Sequence, residues 1–139
     1  MKIRSFRLGD YADVTRLLRE VLSVECNKDT IEACAKQLSL DSELVLVGEK
    51  NQQIVGVIIG TIDNDEGYYY RIAVDTPYQR KGYGKILAQS LKQMFMQRNV
   101  ISIKITADSY HEPAFPLYES LGFGKQDFCN TYQKLRIVN

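Results

Sequence analysis

Apolar and polar residues follow two different periods along this chain, and each change of period marks an element. Residues 2–7 set Ile3 and Phe6 among polar neighbours, the short alternation of an opening edge strand. Val14, Leu17, Leu18, Val21 and Leu22 then fall at helical spacing behind Asp10, a residue suited to cap a helix start. A second stripe, Ile31, Ala33, Cys34, Ala35 and Leu38, follows Asp29 in the same capping relation. It predicts a second, shorter helix, or a pair of helices joined near residues 25–28.

Beyond this point the period shortens to two. Apolar β-branched runs at 44–47 and 54–59 flank the polar turn 50–53 and predict a hairpin. The second of these strands is apolar on both faces and is expected to be central. A polar turn at 63–67 leads into a strand over 68–74. Strict alternation puts Tyr68, Tyr70, Ile72 and Val74 on one face and Tyr69 and Arg71 on the other. The tyrosines read as half-buried strand residues, with an aromatic pocket for a cationic amine as the alternative. Ile86, Leu87, Leu91, Met94 and Phe95 restore the helical period, and Ile101, Ile103 and Ile105 alternate in the next strand. Two strands joined through a helix run parallel by a right-handed crossover. Pro113 and Pro116 fit only the first turn of a helix, placed at 113–121 with Gly122 as its stop. A last hairpin, 123–128 with 131–137, closes the chain. The fold class is therefore α+β, a mixed α/β arrangement of six to seven strands and about four helices whose N-terminal half is an antiparallel meander.

Composition adds exclusions. A chain of 139 residues is most simply one domain, 1–139, with 45% hydrophobic and 25% charged residues. Its net charge of +1 gives no general reason to expect nucleic acid or a membrane as partner. No apolar run approaches the roughly 20 residues of a membrane span, and the opening residues lack a signal-peptide core, so a cytoplasmic protein is expected. Three cysteines, Cys26, Cys34 and Cys129, show neither metal-ligand nor redox spacing, and a single histidine leaves a nucleophilic cysteine short of a partner base. No metal site is expected.

The local chemistry lies between the strand at 68–74 and the following helix. Gln79, Arg80, Lys81, Gly82, Tyr83 and Gly84 form a basic glycine loop, with Lys85 adding charge. Glycines let backbone approach a ligand closely, and the unpaired N–H groups of a helix start favour an anion. The nucleoside-triphosphate loop needs glycines four residues apart followed by Lys and Ser/Thr, which this run lacks. The dinucleotide fingerprint needs a small residue where Leu87 stands. The pattern Gln/Arg-x-x-Gly-x-Gly/Ala after Ile72, Ala73 and Val74 resembles the acyl-CoA loop of the GNAT superfamily of N-acetyltransferases. Residues 114–123 are similar to that family's second signature, with Leu117, Tyr118 and Glu119 followed by Gly122 and Phe123. Both motifs occur in the family's order, and the resemblance spans essentially the whole chain.

The resemblance implies a GNAT-like fold with a splayed parallel pair of central strands. It implies that the amides of Arg80, Lys81, Gly82, Tyr83 and Gly84 bind the pyrophosphate of acetyl-CoA, with Gln79 opening the loop. It further implies that Ile72, Ala73 and Val74 pair with the pantetheine arm and that Tyr118 protonates the departing thiolate. By the same analogy Glu20, Glu25 and residues 26–30 wall the acceptor. Two departures stand out. His111 occupies the position seven residues before Tyr118 where the motif usually has Asn, either satisfying loop backbone at the helix start, or contacting the pantetheine or serving as a proton relay. The strand at 68–74 lacks the acid that some relatives use as base, leaving Asp65, Glu66, a tyrosine acting through water, or the substrate's own pKa. The implied function is acetyl transfer from acetyl-CoA to a primary amine of a small molecule or peptide in a ternary complex. The alternative is a non-catalytic acyl-CoA sensor. Acceptor and oligomeric state, including a homodimer, are left open.

Overall fold

A computed structural model describes residues 1–130 and 132–138. Strand β1 (Lys2–Ser5) leads into helices α1 (Tyr11–Val21) and α2 (Val24–Asp41), followed by β2 (Val45–Lys50), β3 (Gln53–Asp63) and β4 (Glu66–Val74). Helix α3 (Tyr83–Gln97), β5 (Ser102–Thr106), α4 (Phe115–Ser120) and the two-residue β6 (Phe128–Cys129) complete the chain. The six strands form one sheet in sequence order, antiparallel from β1 to β4 and parallel from β4 to β6. This is the expected mixed sheet with four helices, at the lower end of the expected strand number.

Local chemistry explains most boundaries. Asn51–Gln52 and Asn64–Asp65 close two hairpins with positive φ at both central residues, the turn whose twist matches that of the strands. Val14, Leu17 and Leu18 bury α1 against β3 and β4. Asp10 precedes α1 as expected, but its carboxylate is taken by Arg4 and by the Arg7 N–H. The second helix does not start at Asp29. Ser23 caps it by accepting from Cys26 N–H at 3.2 Å, while Leu22 and Ser23 are extended. The break between the helices thus lies at Leu22–Ser23, and residues 25–28 are already helical.

Helices α1 and α2 cover one face of the sheet, and α3 and α4 cover the other. The glycines of β3 and β4 set how close α3 comes. A Cβ on Gly60 would stand 2.7 Å from Leu91, and one on Gly67 2.8 Å from the Phe95 ring, so a side chain at either position would force these residues of α3 to move.

Two further expectations fail. In β4 the register passes from Ile59↔Arg71 to Gly60↔Tyr69, leaving Tyr70 as an extra residue. This bulge resets the alternation. Tyr68 and Tyr70 face α1 and α2, Tyr69 faces α3, and Arg71 stays on the α2 side, where it reaches Thr30. Ile72 and Val74 turn to the α3 side, so they do not share a face with Tyr68 and Tyr70. The closing hairpin is also absent among the described residues. Residues 125–127 form a 3₁₀ turn, β6 runs parallel to β5, and Tyr132–Lys134 is another 3₁₀ turn. Thr131, where its second strand was expected to start, lies outside the described residues. Leu135 and Ile137 are nonetheless buried at 4% and 1% exposure, which is why their spacing reads as a strand.

Candidate active site

The Tyr70 bulge has a second effect. β4 and β5 pair in parallel only from Glu66↔Ser102 to Tyr69↔Ile105, with one further link from Thr106 Oγ1 to Tyr70 O at 3.0 Å. Beyond it β4 continues to Val74 while β5 stops, and the strands diverge around a cleft of about 820 Å³. Asp75 N–H is bonded to Val55 O on β3. Successive amides of a strand point to opposite edges, so the Val74 N–H is directed away from β3, toward the opening.

The loop after β4 is tied down from within. Asp75 Oδ1 accepts from Thr76 N–H, and the Tyr78 and Gln79 amides bond back to Asp75 O and Thr76 O. The Gln79 side chain donates to Val74 O at 2.8 Å, clamping the loop to the strand end. Arg80 and Gly82 then take positive φ, 62° and 84°, a left-handed alternation that turns successive N–H groups into a concave nest. Among the described residues the peptide N–H groups of 80 to 85 bond to no acceptor, whereas that of Gln79 is used. Six donors at the start of a 15-residue helix, with Arg80, Lys81 and Lys85 beside them, make an anion cradle.

Of the residues expected to act, Ile72, Ala73, Val74, Gln79, Arg80, Gly82, Gly84, Lys85 and His111 line the cleft. Lys81 and Tyr83 belong to the loop without lining it. The Tyr83 hydroxyl accepts from Lys50 at 2.6 Å, a partner that sequence spacing does not reveal. Tyr118 is fully buried behind the cleft wall, packed on Tyr69 and His111. The opposite wall comes from Val21, Leu22, Ser23 and Cys26, at the helix break that the Asp29 reading misplaces. Glu66 is bonded by Ser102 at the far end of β4, about 26 Å along the strand from Val74, so neither it nor Asp65 serves as a base in this cleft.

His111 is 1% exposed, and both ring nitrogens are engaged. Nδ1 lies 3.0 Å from both Thr106 O and Thr106 Oγ1; the carbonyl can only accept and the hydroxyl donates its proton to Tyr70 O, so Nδ1 carries the proton. Nε2 is therefore an acceptor, and the Tyr118 hydroxyl 3.2 Å away donates to it. Burial, with help from the Arg71 charge, lowers the His111 pKa to about 4 against the opposing pull of Asp108, so the ring is neutral at pH 7. Burial raises the Tyr118 phenol well above 10. Arg71 itself is held by Asp108 through two bonds of 3.0 and 3.1 Å and by Thr30 Oγ1 at 3.0 Å.

The sequence model of the acetyltransferase (GNAT) family matches residues 11–123. The chain belongs to this family. An acetyltransferase of Pectobacterium atrosepticum is 27% identical over 96% of this chain and 94% of its own length. The ribosomal protein bS18-alanine N-acetyltransferase of Escherichia coli K12 is 31% identical over 60% of this chain and 56% of its own. The PaiA N-acetyltransferase of Thermoplasma acidophilum, solved with coenzyme A, shares the fold at TM-score 0.73 and 16% identity, covering 88% of this chain and 89% of that one. This GNAT protein is thus an acyl-CoA-dependent acetyltransferase. No described helix is long and apolar enough to cross a membrane.

Proposed function

We propose that this acetyltransferase moves the acetyl group of acetyl-CoA directly onto a primary amine, of a peptide or small molecule, in a ternary complex. The observation that carries the reading is the run of unbonded amides from 80 to 85 at the mouth of the β4–β5 opening. Arg80, Lys81, Gly82, Tyr83 and Gly84 hold the pyrophosphate, and Lys85 adds charge. Ile72, Ala73 and Val74 offer strand edge to the pantetheine, and His111 lines its path. Fixing donor beside amine supplies several kcal/mol, up to about 7–11 in ideal intramolecular cases. The Val74 N–H, aimed at the thioester oxygen, contributes about 3 kcal/mol to the oxyanion.

Tyr118 assists the leaving thiolate. His111 has no N–H to spare, because Nδ1 donates to Thr106 O, so the phenol carries the transferable proton. Releasing Nε2 costs one neutral hydrogen bond, about 1 kcal/mol. The phenol stands well above 10 while a free thiol titrates near about 8.5, so Tyr118 acts chiefly as a hydrogen-bond donor to sulfur. Its contribution belongs at the lower end of the range for acid catalysis, on the order of 10²-fold.

The titratable residues lining the cleft are Cys26, Tyr78, Arg80, Lys85, Tyr110 and His111, with no carboxylate among the described side chains. An acceptor that arrives partly neutral is favoured. A peptide α-amine, with pKa near about 8, is roughly one-tenth neutral at pH 7, whereas a lysine-like amine is under about one in a thousand. The bS18-alanine acetyltransferase relative points the same way. Thiol release from acetyl-CoA should therefore be fastest with an alanine-initiated peptide, compared with a polyamine and an aminoglycoside at pH 7. Coenzyme A binding by calorimetry with no thiol release from any of the three defeats the reading.

A further inference from the structure

We infer that Arg71 and Asp108 are positioning residues, whose buried ion pair holds the turn before α4 so that His111 presents a bare Nε2 to Tyr118. The inference rests on the reading that Tyr118 serves the departing thiol. Asp108 Oδ1 accepts both from Arg71 Nη1 at 3.0 Å and from the His111 peptide N–H at 2.7 Å. Its other oxygen takes Arg71 Nη2 at 3.1 Å, and Arg71 Nε is anchored to Thr30 Oγ1 on α2 at 3.0 Å. One guanidinium therefore ties β4, α2 and the turn together, and the histidine backbone hangs from the shared carboxylate. Three further bonds then follow in series: Nδ1–H to Thr106 O, Tyr118 O–H to Nε2, and Thr106 Oγ1 to Tyr70 O.

A buried ion pair is a costly way to fill this space, since apolar residues of the same volume commonly stabilise as well or better. The bulge at Tyr70 is what brings Arg71 to this side of the sheet, where no alternating strand would place it. What the pair supplies and an apolar filling does not is a fixed acceptor for one peptide N–H and a fixed charge balance around one ring. Arg71 lowers the His111 pKa and Asp108 raises it, with burial the larger influence. The other titratable groups around the ring are Tyr118 on α4, Tyr69 behind it, Tyr70 and Tyr110 on the Arg71 guanidinium, and Cys26 across the cleft on α2.

The chain has one histidine, so its ring nitrogens give unambiguous ¹⁵N resonances. The wild-type protein should show Nδ1 protonated and Nε2 bare at pH 7. The double substitution Arg71→Met with Asp108→Asn removes both charges together and leaves no lone buried ion. In it the Nε2–H tautomer should appear, the ring's titration midpoint should rise, because Arg71 lowers it more than Asp108 raises it, and kcat on an alanine-initiated peptide should fall about tenfold. Coenzyme A affinity should stay within about twofold, because the loop at 80–85 is untouched. A pair that only stabilises the fold would lower the melting temperature and leave tautomer and kcat alone. A folded double variant with wild-type ring shifts and kcat overturns the inference, as does a wild-type ring protonated on Nε2. Should the double variant not fold, Thr30→Val removes one anchor of Arg71 without touching charge, and ring shifts unchanged from wild type there overturn the inference too. Failure of the catalytic reading is seen separately, as an undiminished kcat in Tyr118→Phe.

Discussion

Acid should destabilise this protein measurably through its one histidine. The His111 ring is sealed at 1% exposure, with Nδ1 held by Thr106 O and Nε2 by Tyr118. In the unfolded chain it titrates at its ordinary 6.5, whereas in the folded protein burial holds it near 4. The folded state thus binds the proton less readily. Stability from this group is fully present above pH 6.5, declines as the unfolded chain takes up the proton, and is lost by about pH 4. At 1.36 kcal/mol per pH unit, the gap between 6.5 and about 4 is worth about 3 kcal/mol, a large share of an ordinary domain's total. The assay is urea denaturation at half-unit steps from pH 7.5 to 4, for the wild type and for His111→Asn. Carboxylates are common to both proteins, so the difference between the two curves isolates the histidine. Wild-type stability should fall more steeply below pH 6.5, by about 3 kcal/mol over the range. Parallel curves would refute the reasoning, and with it the neutral ring on which the role of Tyr118 depends.

Other consequences are equally direct. Tyr118→Phe should lower kcat on the order of 10²-fold and leave the acetyl-CoA KM within about twofold, read by thiol release; an unchanged kcat places the sulfur's partner elsewhere. Gly82 sits at φ 84°, so Gly82→Ala should strain the loop by about 1 kcal/mol and weaken coenzyme A binding about fivefold in calorimetry. Gly84→Ala should leave the stability of the unliganded protein at or slightly above wild type in urea melts, because its Cβ would meet Leu117 of α4 at 3.5 Å and Ile72 of β4 at 3.6 Å, ordinary contacts for a helical residue. Gly67→Ala drives a methyl to 2.8 Å from the Phe95 ring and should cost about 1–3 kcal/mol in urea melts, partly recovered by Phe95→Leu.

The loop was legible because its chemistry is local: two glycines, three cations and a helix start are adjacent in sequence, and their geometry follows from φ and unpaired amides. The order of β2 to β5 was legible for a related reason, since each connection among them is a short turn or a single crossover helix, whereas β1 and β2 are separated by both α1 and α2. The faces of β4 were not. An extra residue at Tyr70 is defined by what Ile59 and Gly60 do on the neighbouring strand, and no count along β4 reveals it. Ser23 does not announce itself as a cap, because a lone serine between Leu22 and Val24 is a weaker signal than Asp29 before a clear apolar stripe. In the last segment the burial of Leu135 and Ile137 was readable from their spacing, but the hydrogen bonding was not. His111 drew notice only as a departure from the family pattern. Its partners come from β4, β5 and α4, and only the folded chain brings Arg71 and Asp108 together.

The bare backbones of Gly60 and Gly67 do more than admit Phe95 and Leu91. They act as a depth stop for α3. A helix of 15 residues is a rigid lever about 22 Å long, seated near one end in these notches and carrying the unbonded loop amides at the other. On the function proposed, how far the acyl end of the donor reaches between the strands is gauged from the opposite end of the molecule. A methyl group added at Gly67 would press on the Phe95 ring, and so bear on the seating of α3, without touching any residue of the loop.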